Sequence, residues 1–214
     1  MVRAWGVVLW ILVLAAAMAV AIRFAPPVRA QVPGGVVLNE ILAGPARDWN
    51  GDAVFDARDD EWVEIRNEGT AAVDLAAYRV ADADSTIRFA FSGLLAPGAV
   101  SVVMGSTALA WQRSVGRAAT GLSLNNAGDT IRLFRVEGAD TVAVDVKSYN
   151  SIEGASDRST GRLGESWILF DAWNKYTGSG TPSGTGCAPT PGDANGCPTD
   201  TRQTTWGWIK ANYR

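Results

Sequence analysis

The chain contains no histidine. That absence removes the Ser-His-Asp triad, the Cys-His dyad, the HExxH zinc site and every histidine general base. Cysteine is nearly as scarce, with two residues, Cys187 and Cys197, close together near the C-terminus. There is no internal repeat and no basic cluster. Lys and Arg number 19 against 22 Asp and Glu, a net charge of −3. An acidic surface without a concentrated positive face argues against nucleic acid as a partner.

The long hydrophobic run is N-terminal. Met1-Val2-Arg3 is a short positive start, Ala4–Ile22 carries no charge, and Pro26-Pro27 breaks any helix. Val28-Arg29-Ala30 then places small or apolar residues at the −3 and −1 positions before Gln31. This is the pattern of a cleaved secretory signal over residues 1–30. The run is also long enough to span a bilayer, so an uncleaved anchor is the alternative. Either way the expectation is a secreted or cell-surface protein, touching a membrane only through that segment if it is retained. Cleavage removes Arg3, Arg23 and Arg29 and no acid, leaving 16 basic against 22 acidic residues, a net of −6. The rest of the chain is long enough for one domain with a core. In an exported chain the local cysteine pair predicts a disulfide, Cys187–Cys197, with two free thiols as the alternative. A loop that short stabilises by about 2–3 kcal/mol in the chain-entropy model.

Acid is concentrated in one place. Asp48-Trp49-Asn50-Gly51-Asp52-Ala53-Val54-Phe55-Asp56-Ala57-Arg58-Asp59-Asp60-Glu61 holds six carboxylates in fourteen residues, between the apolar runs Val36–Leu42 and Trp62–Ile65. Like charges at this density repel unless something positive sits among them. Counted from Asp48, oxygen-bearing side chains fall at loop positions 1, 3, 5, 9 and 12: Asp48, Asn50, Asp52, Asp56 and Asp59. Val54 at position 7 offers its backbone carbonyl. This is the ligand register of a twelve-residue calcium loop. Gly51 and the apolar Phe55 also fit. Ala53 stands at position 6 where glycine is usual, and Asp59 has a shorter arm than the usual position-12 glutamate, for which Asp60 or Glu61 could substitute. Strands, not helices, flank the loop. The expectation is a structural Ca2+ ion tying the first strand to the second; the alternative is a solvated acidic loop.

The remainder reads as short strands. Val36–Leu42 is β-branched and of strand length. Glu61–Asn67 alternates, with Val63 and Ile65 on one face and Glu64 and Arg66 on the outward one. Tyr78–Asp82 and Thr86–Phe91 follow, the latter with Ile87, Phe89 and Phe91 on one face. Pro97-Gly98 turns the chain into Ala99–Met104, a strand with few charges expected to be central. Leu109, Trp111 and Val115 fit either a short helix or an irregular crossover within Ser106–Thr120. Thr130–Arg135 and Thr141–Tyr149 form a hairpin through Glu137–Asp140. Ile152–Gly164 reads as an exposed loop, Glu165–Phe170 as one more strand, and Thr177–Asn195 as irregular chain held by the cysteine pair. Seven or so strands with turns about every ten residues predict an all-β sandwich, one domain over residues 31–197. Residues 198–214 are a linker and a short aromatic tail, in which Trp206, Ile209 and Tyr213 recur at helical spacing.

Several of these stretches in order resemble the lamin-tail domain. They are Val37-Leu38-Asn39-Glu40-Ile41, then Asp60-Glu61-Trp62-Val63-Glu64-Ile65-Arg66-Asn67, then Val73-Asp74-Leu75-Ala76-Ala77-Tyr78-Arg79-Val80. Ile87–Phe91, Leu95–Val103 and Leu124–Leu133 follow, and a closing Pro189-Thr190-Pro191-Gly192 with Asn195. The likeness covers roughly residues 36–195. Tyr78 departs from the usual tryptophan, and the Asp48–Asp59 insertion is longer than the family's minimal loop. The resemblance implies an immunoglobulin-like β-sandwich of the exported bacterial type, often an accessory module beside other domains.

Two rival chemistries remain. Glu40, Glu61 and Glu64 could form a catalytic carboxylate pair; their alternative is a structural role on family strands. Trp49, Trp111 and Trp173 fall on loops, where exposed aromatics beside calcium could grip sugar rings; their alternative is ordinary packing. The expected function is non-catalytic: a binding or structural module with an extracellular or cell-surface protein or glycan as partner.

Overall fold

The computed structural model describes residues 35–197. The expected signal segment at 1–30 and the expected aromatic tail within 198–214 lie outside the described residues. Eleven strands occur among those described: β1 (Val36–Leu42), β2 (Trp62–Asn67), β3 (Val73–Asp74), β4 (Tyr78–Ala81), β5 (Ile87–Ala90), β6 (Leu94–Leu95), β7 (Val100–Met104), β8 (Gly128–Glu137), β9 (Asp140–Asn150), β10 (Ser159–Leu163) and β11 (Ser166–Phe170). One α-helix, α1 (Gly105–Ser114), follows β7. A five-stranded sheet runs β11-β10-β1-β2-β7 and a four-stranded sheet runs β5-β4-β8-β9, with β3 and β6 as a separate short pair. All the pairings between these strands are antiparallel. The architecture is an immunoglobulin-like β-sandwich.

The two sheets share one core. Val36, Leu38, Ile41, Val63, Ile65 and Val103 of the first sheet meet Tyr78, Val80, Ile131, Leu133 and Tyr149 of the second. In β2 the core faces alternate as expected. In β1 they do not: Val36 and Leu38 point inward, then Ile41 and Ala43. A register shift between Leu38 and Glu40 accounts for the change of phase. A β-bulge inserts one extra residue and inverts the alternation beyond it. Asn39 and Glu40 are thereby turned away from the shared core, yet both are buried.

Several expectations need correction. β7 is the edge of its sheet, not a central strand. The expected exposed loop at 152–164 contains β10, which lies between β1 and β11 and is buried over Ser159–Arg162. Its sequence, Ser-Thr-Gly-Arg-Leu, shows no hydrophobic period because its burial is satisfied by hydrogen bonds. Ser159 Oγ donates to Glu40, Thr160 Oγ1 to Glu153 at 2.9 Å, and Arg162 Nε to the Leu38 carbonyl at 2.7 Å. The stretch after Met104 is helical. A Cβ added to Gly105 would meet the Arg58 carbonyl at 1.8 Å, so only glycine lets the helix begin against the acidic loop. Among the described residues no helix is long and apolar enough to cross a membrane.

Candidate functional site

The acidic loop occupies the connection between β1 and β2, as the sequence predicts. Two buried aspartates clamp its ends. At the start, Asp157 Oδ1 accepts from the Ala46 amide at 2.9 Å and from the Trp49 indole at 2.9 Å, and Asp157 pairs with Arg47 at 3.0 Å. At the end, Asp60 accepts three loop amides: Trp49 at 2.7 Å, Asn50 at 3.0 Å and Asp56 at 2.9 Å. The carbonyls of Asp59 and Glu61 then accept the first amides of α1, from Ser106 and Gly105. The loop is thus tied to β2, to α1 and to the segment before β10. Asp60 and Glu61, the two candidates to stand in for Asp59 as a ligand, are both buried.

Between the clamps the chain curls around its own acids. Asp48 accepts from Gly51 at 2.6 Å and from Ala53 at 2.8 Å. Asn50 Oδ1 accepts from Asp52 at 2.9 Å, and Asp52 Oδ1 from Val54 at 2.8 Å. Gly51 and Ala53 take φ of 77° and 69°. Ala53 therefore adopts the left-handed turn that glycine supplies at position 6, at a cost of about 1 kcal/mol. Asp56 accepts from Arg58 and Asp59 and is held below the usual carboxylate range by those amides. Asp59 is pushed up by burial and by the charges of Asp56, Asp52 and Asp60. Among the described residues no three Asp, Glu, His or Cys side chains converge as around a bound metal. The donor set still fits a hard cation: five Asp and Asn side chains plus the Val54 carbonyl, on a loop already curled, with mutual repulsion at Asp59.

The carboxylates suggested as a catalytic pair sit elsewhere. Glu40 and Glu64 face each other directly across the β1/β2 ladder and neither meets solvent. Alternation assigns Glu64 to the outward face, and that face is covered by the segment after β11. Thr190 donates to Glu40 through its hydroxyl at 2.6 Å and its amide at 3.2 Å. The Gly192 amide donates to Glu64 at 2.7 Å, and Asn39 Nδ2 donates to the other Glu64 oxygen. Asn195 Nδ2 reaches the carbonyls of Asn39 at 3.0 Å and Arg162 at 2.8 Å, while its Oδ1 accepts from Asn39 at 2.8 Å. The closing Pro-Thr-Pro-Gly motif with Asn195 is therefore a strap across the sheet. It is held by these bonds as well as by the Cys187–Cys197 disulfide, with Cα atoms 5.2 Å apart. A carboxylate shut beneath a strap cannot reach a substrate. Burial pushes Glu64 up to about 7 and raises Glu40 as well.

Of the three tryptophans expected on loops, Trp111 is instead in α1, and the three differ in role. Trp49 packs edge-on against buried Trp62, centroids 6.2 Å apart, and its indole is bonded to Asp157, so it anchors the loop. Trp111 lies on α1 against Phe89 at 5.9 Å. Trp173 is 55% exposed, with the Arg47 guanidinium 4.2 Å from its ring centroid.

A second acidic feature has no local signature in the sequence. A cleft of about 710 Å³ opens between the end of the acidic loop, the β4–β5 turn and the turn before β8. Its wall carries Glu61, Asp82, Asp84 and Asp129 with Arg58 as its one basic residue. Burial pushes Glu61 up to about 8. The acids are spread over almost seventy positions of sequence, and only the fold brings them together.

Comparison with known proteins gives one family. A model of the Lamin Tail Domain matches residues 29–151. That span includes β1 through β9, the acidic loop and the cleft wall, and it ends before the strap. Searches of curated proteins and of solved structures returned no match. The match covers more than half of the chain and agrees in order with the sandwich: the chain belongs to the lamin tail domain family.

Proposed function

We propose that the protein is an exported, non-catalytic lamin-tail module that works as a binding or structural unit at the cell surface, with its β1–β2 loop stiffened by one structural Ca2+. Asp48, Asn50, Asp52, Asp56 and Asp59 would hold the ion with the Val54 carbonyl. The ion supplies only positive charge and a coordination centre. The chain's own residues curl the loop and clamp its ends. The observation that carries the reading is the left-handed pair Gly51 and Ala53, with the Asp48, Asn50 and Asp52 side chains turned onto amides two to five residues ahead. An alanine held in that conformation needs a reason, and a cation at the centre of the curl provides one. The carboxylates stand apart without it, so binding is expected to draw them in and order the loop. The non-catalytic part rests on the missing histidines and on the shielding of Glu40 and Glu64 from solvent.

A second reading, a calcium-dependent carbohydrate-binding module, draws on Trp173. It is exposed and backed by Arg47, the residue that precedes Asp48 in the chain. Retention on polysaccharide arrays that is lost in Trp173→Ala would support it; no binding to any glycan would end it.

Thermal melting with calcium and with chelator, beside Asp52→Ala, tests the main reading. Extracellular sites of this kind bind at about 0.1–1 mM. At a hundredfold excess over Kd the ion adds about 2.7 kcal/mol, or roughly 5–10 °C in Tm for a domain of this size. Equal melting temperatures in all samples would refute it.

A further inference from the structure

We infer that Asn50-Gly51 is a self-modification site: the Gly51 nitrogen closes on the Asn50 side-chain amide, and the loop converts Asn50 to aspartate and isoaspartate. The inference needs no bound ion and stands apart from the calcium reading. The chain has two Asn-Gly dipeptides, Asn50-Gly51 and Asn195-Gly196. Glycine after asparagine leaves the attacking nitrogen unhindered because it carries no Cβ. As dipeptides the two are equal. Their surroundings in the fold are not.

At Asn50 the reacting groups are gathered. Asp60 accepts the amides of Trp49 and Asn50, which fixes the backbone that bears the side chain. Asn50 Oδ1 accepts from the Asp52 amide at 2.9 Å. The ring closed by that bond contains both the electrophile, Asn50 Cγ, and the nucleophile, the Gly51 nitrogen. The Gly51 N–H donates to Asp48 Oδ1 at 2.6 Å, so a carboxylate base touches the proton that must leave. The Asp52 amide stays on Oδ1 as negative charge develops there, in the manner of an oxyanion donor. Gly51 is exposed, and a Cβ at its position would meet nothing within 4 Å, so water has access to the product ring.

The reaction balances with water as its one co-reactant. A bond forms between the Gly51 nitrogen and Asn50 Cγ, and the Cγ–Nδ2 bond breaks. The Gly51 proton passes by way of Asp48 and solvent to the departing nitrogen, which leaves as ammonia. Ser106 Oγ stands beside that nitrogen, 3.4 Å from Nδ2. Water then opens the succinimide. Addition at Cγ gives aspartate; addition at the backbone carbonyl gives isoaspartate, in which the main chain runs through the side chain. Either product adds one negative charge to the loop, and isoaspartate lengthens its backbone by one carbon. Asn50 is the one uncharged side chain among the five proposed ligands, so both products alter that set.

Asn195 is held the other way. Its Nδ2 donates to the carbonyls of Asn39 and Arg162, and its Oδ1 accepts from Asn39. These three bonds anchor the strap, and all must break before Cγ can swing onto the Gly196 nitrogen. At the strength of ordinary hydrogen bonds that requirement slows Asn195 by about a hundredfold.

The test ages the purified full chain in chelator at neutral pH and follows both dipeptides by peptide mapping, with isoaspartyl methyltransferase labelling to distinguish isoaspartate from aspartate. The expected result is conversion at Asn50 about a hundredfold faster than at Asn195. In concentrated denaturant both side chains are released, and the two rates are expected to converge. Asp48→Asn keeps an acceptor for the Gly51 amide and leaves the buried clamps Asp60 and Asp157 in place, so the domain should fold. It is expected to slow Asn50 about tenfold or more by removing the base. Equal rates at the two sites in the folded chain, a ratio that survives denaturant, or an Asp48→Asn variant that converts as fast as the parent would overturn the inference.

Discussion

Glu64 gives the sharpest quantitative handle on the strap. Its carboxyl is fully buried between Asn39 and the Gly192 amide, facing Glu40 across the ladder and with the charge of Asp193 nearby. Burial raises its pKa from 4.5 to about 7, opposed by its bonds to Asn39 and Gly192 and reinforced by Glu40 and Asp193. A folded-state pKa above the unfolded one means that the native protein holds the proton longer. The contribution to stability is complete below pH 4.5 and is lost as pH rises through about 7. At about 1.36 kcal/mol per pH unit, the interval from 4.5 to about 7 amounts to roughly 3 kcal/mol. Glu64→Gln removes this titration but places an amide NH2 where one of two acceptors stood, which costs about 1–2 kcal/mol. The variant is therefore expected to be less stable than the parent at pH 4.5 and to gain on it by about 3 kcal/mol by pH 8. Equilibrium denaturation in guanidinium across that range, in chelator throughout, measures the difference. A difference that stays constant with pH would refute the burial of this carboxyl beneath the strap.

Other expectations follow from single contacts. Asp60→Ala strands three loop amides and, at about 1 kcal/mol per lost bond, is expected to lower stability by roughly 3 kcal/mol in chemical denaturation, while weakening calcium binding by titration. Paired Cys187→Ser and Cys197→Ser releases a bridge with a sequence separation of 10; the chain-entropy cost is about 3 kcal/mol, read as a lower Tm under non-reducing conditions. Leu133→Ala opens the middle of the shared core, where the side chain is wholly buried, and is expected to cost about 2–5 kcal/mol in the same assay.

The parts of the fold that the sequence revealed are those whose signal is local. β2 alternates cleanly, the β8–β9 hairpin has its turn at Gly138, and the acidic loop announces itself by charge. The bulge in β1 left no mark in the sequence, because Val37 and Leu42 are apolar as well as the core-facing Val36, Leu38, Ile41 and Ala43. The helix was ambiguous because one of its buried positions is Gln112. That amide is satisfied by the carbonyls of Arg88 and Gly121 and the amides of Thr120 and Gly121, none of them a neighbour in sequence. β10 and the strap were illegible for the same reason. Their burial depends on polar partners far away in the chain, such as Thr190 on Glu40, 150 positions apart. No hydrophobic period marks a strand that buries Ser, Thr and Arg. The cleft acids have no common sequence signature because Glu61 comes from the β1–β2 loop, Asp82 and Asp84 from the β4–β5 turn, and Asp129 from the start of β8.

The proposed calcium site in the β1–β2 loop is the centre of the functional reading, and direct binding tests it most simply. Isothermal titration of the chelator-stripped protein with Ca2+ is expected to show one ion per chain, with affinity lost in Asp52→Ala and retained in Asp84→Asn, which alters the cleft alone. Absence of heat and of binding up to millimolar calcium, or binding that Asp52→Ala leaves intact, would contradict the account.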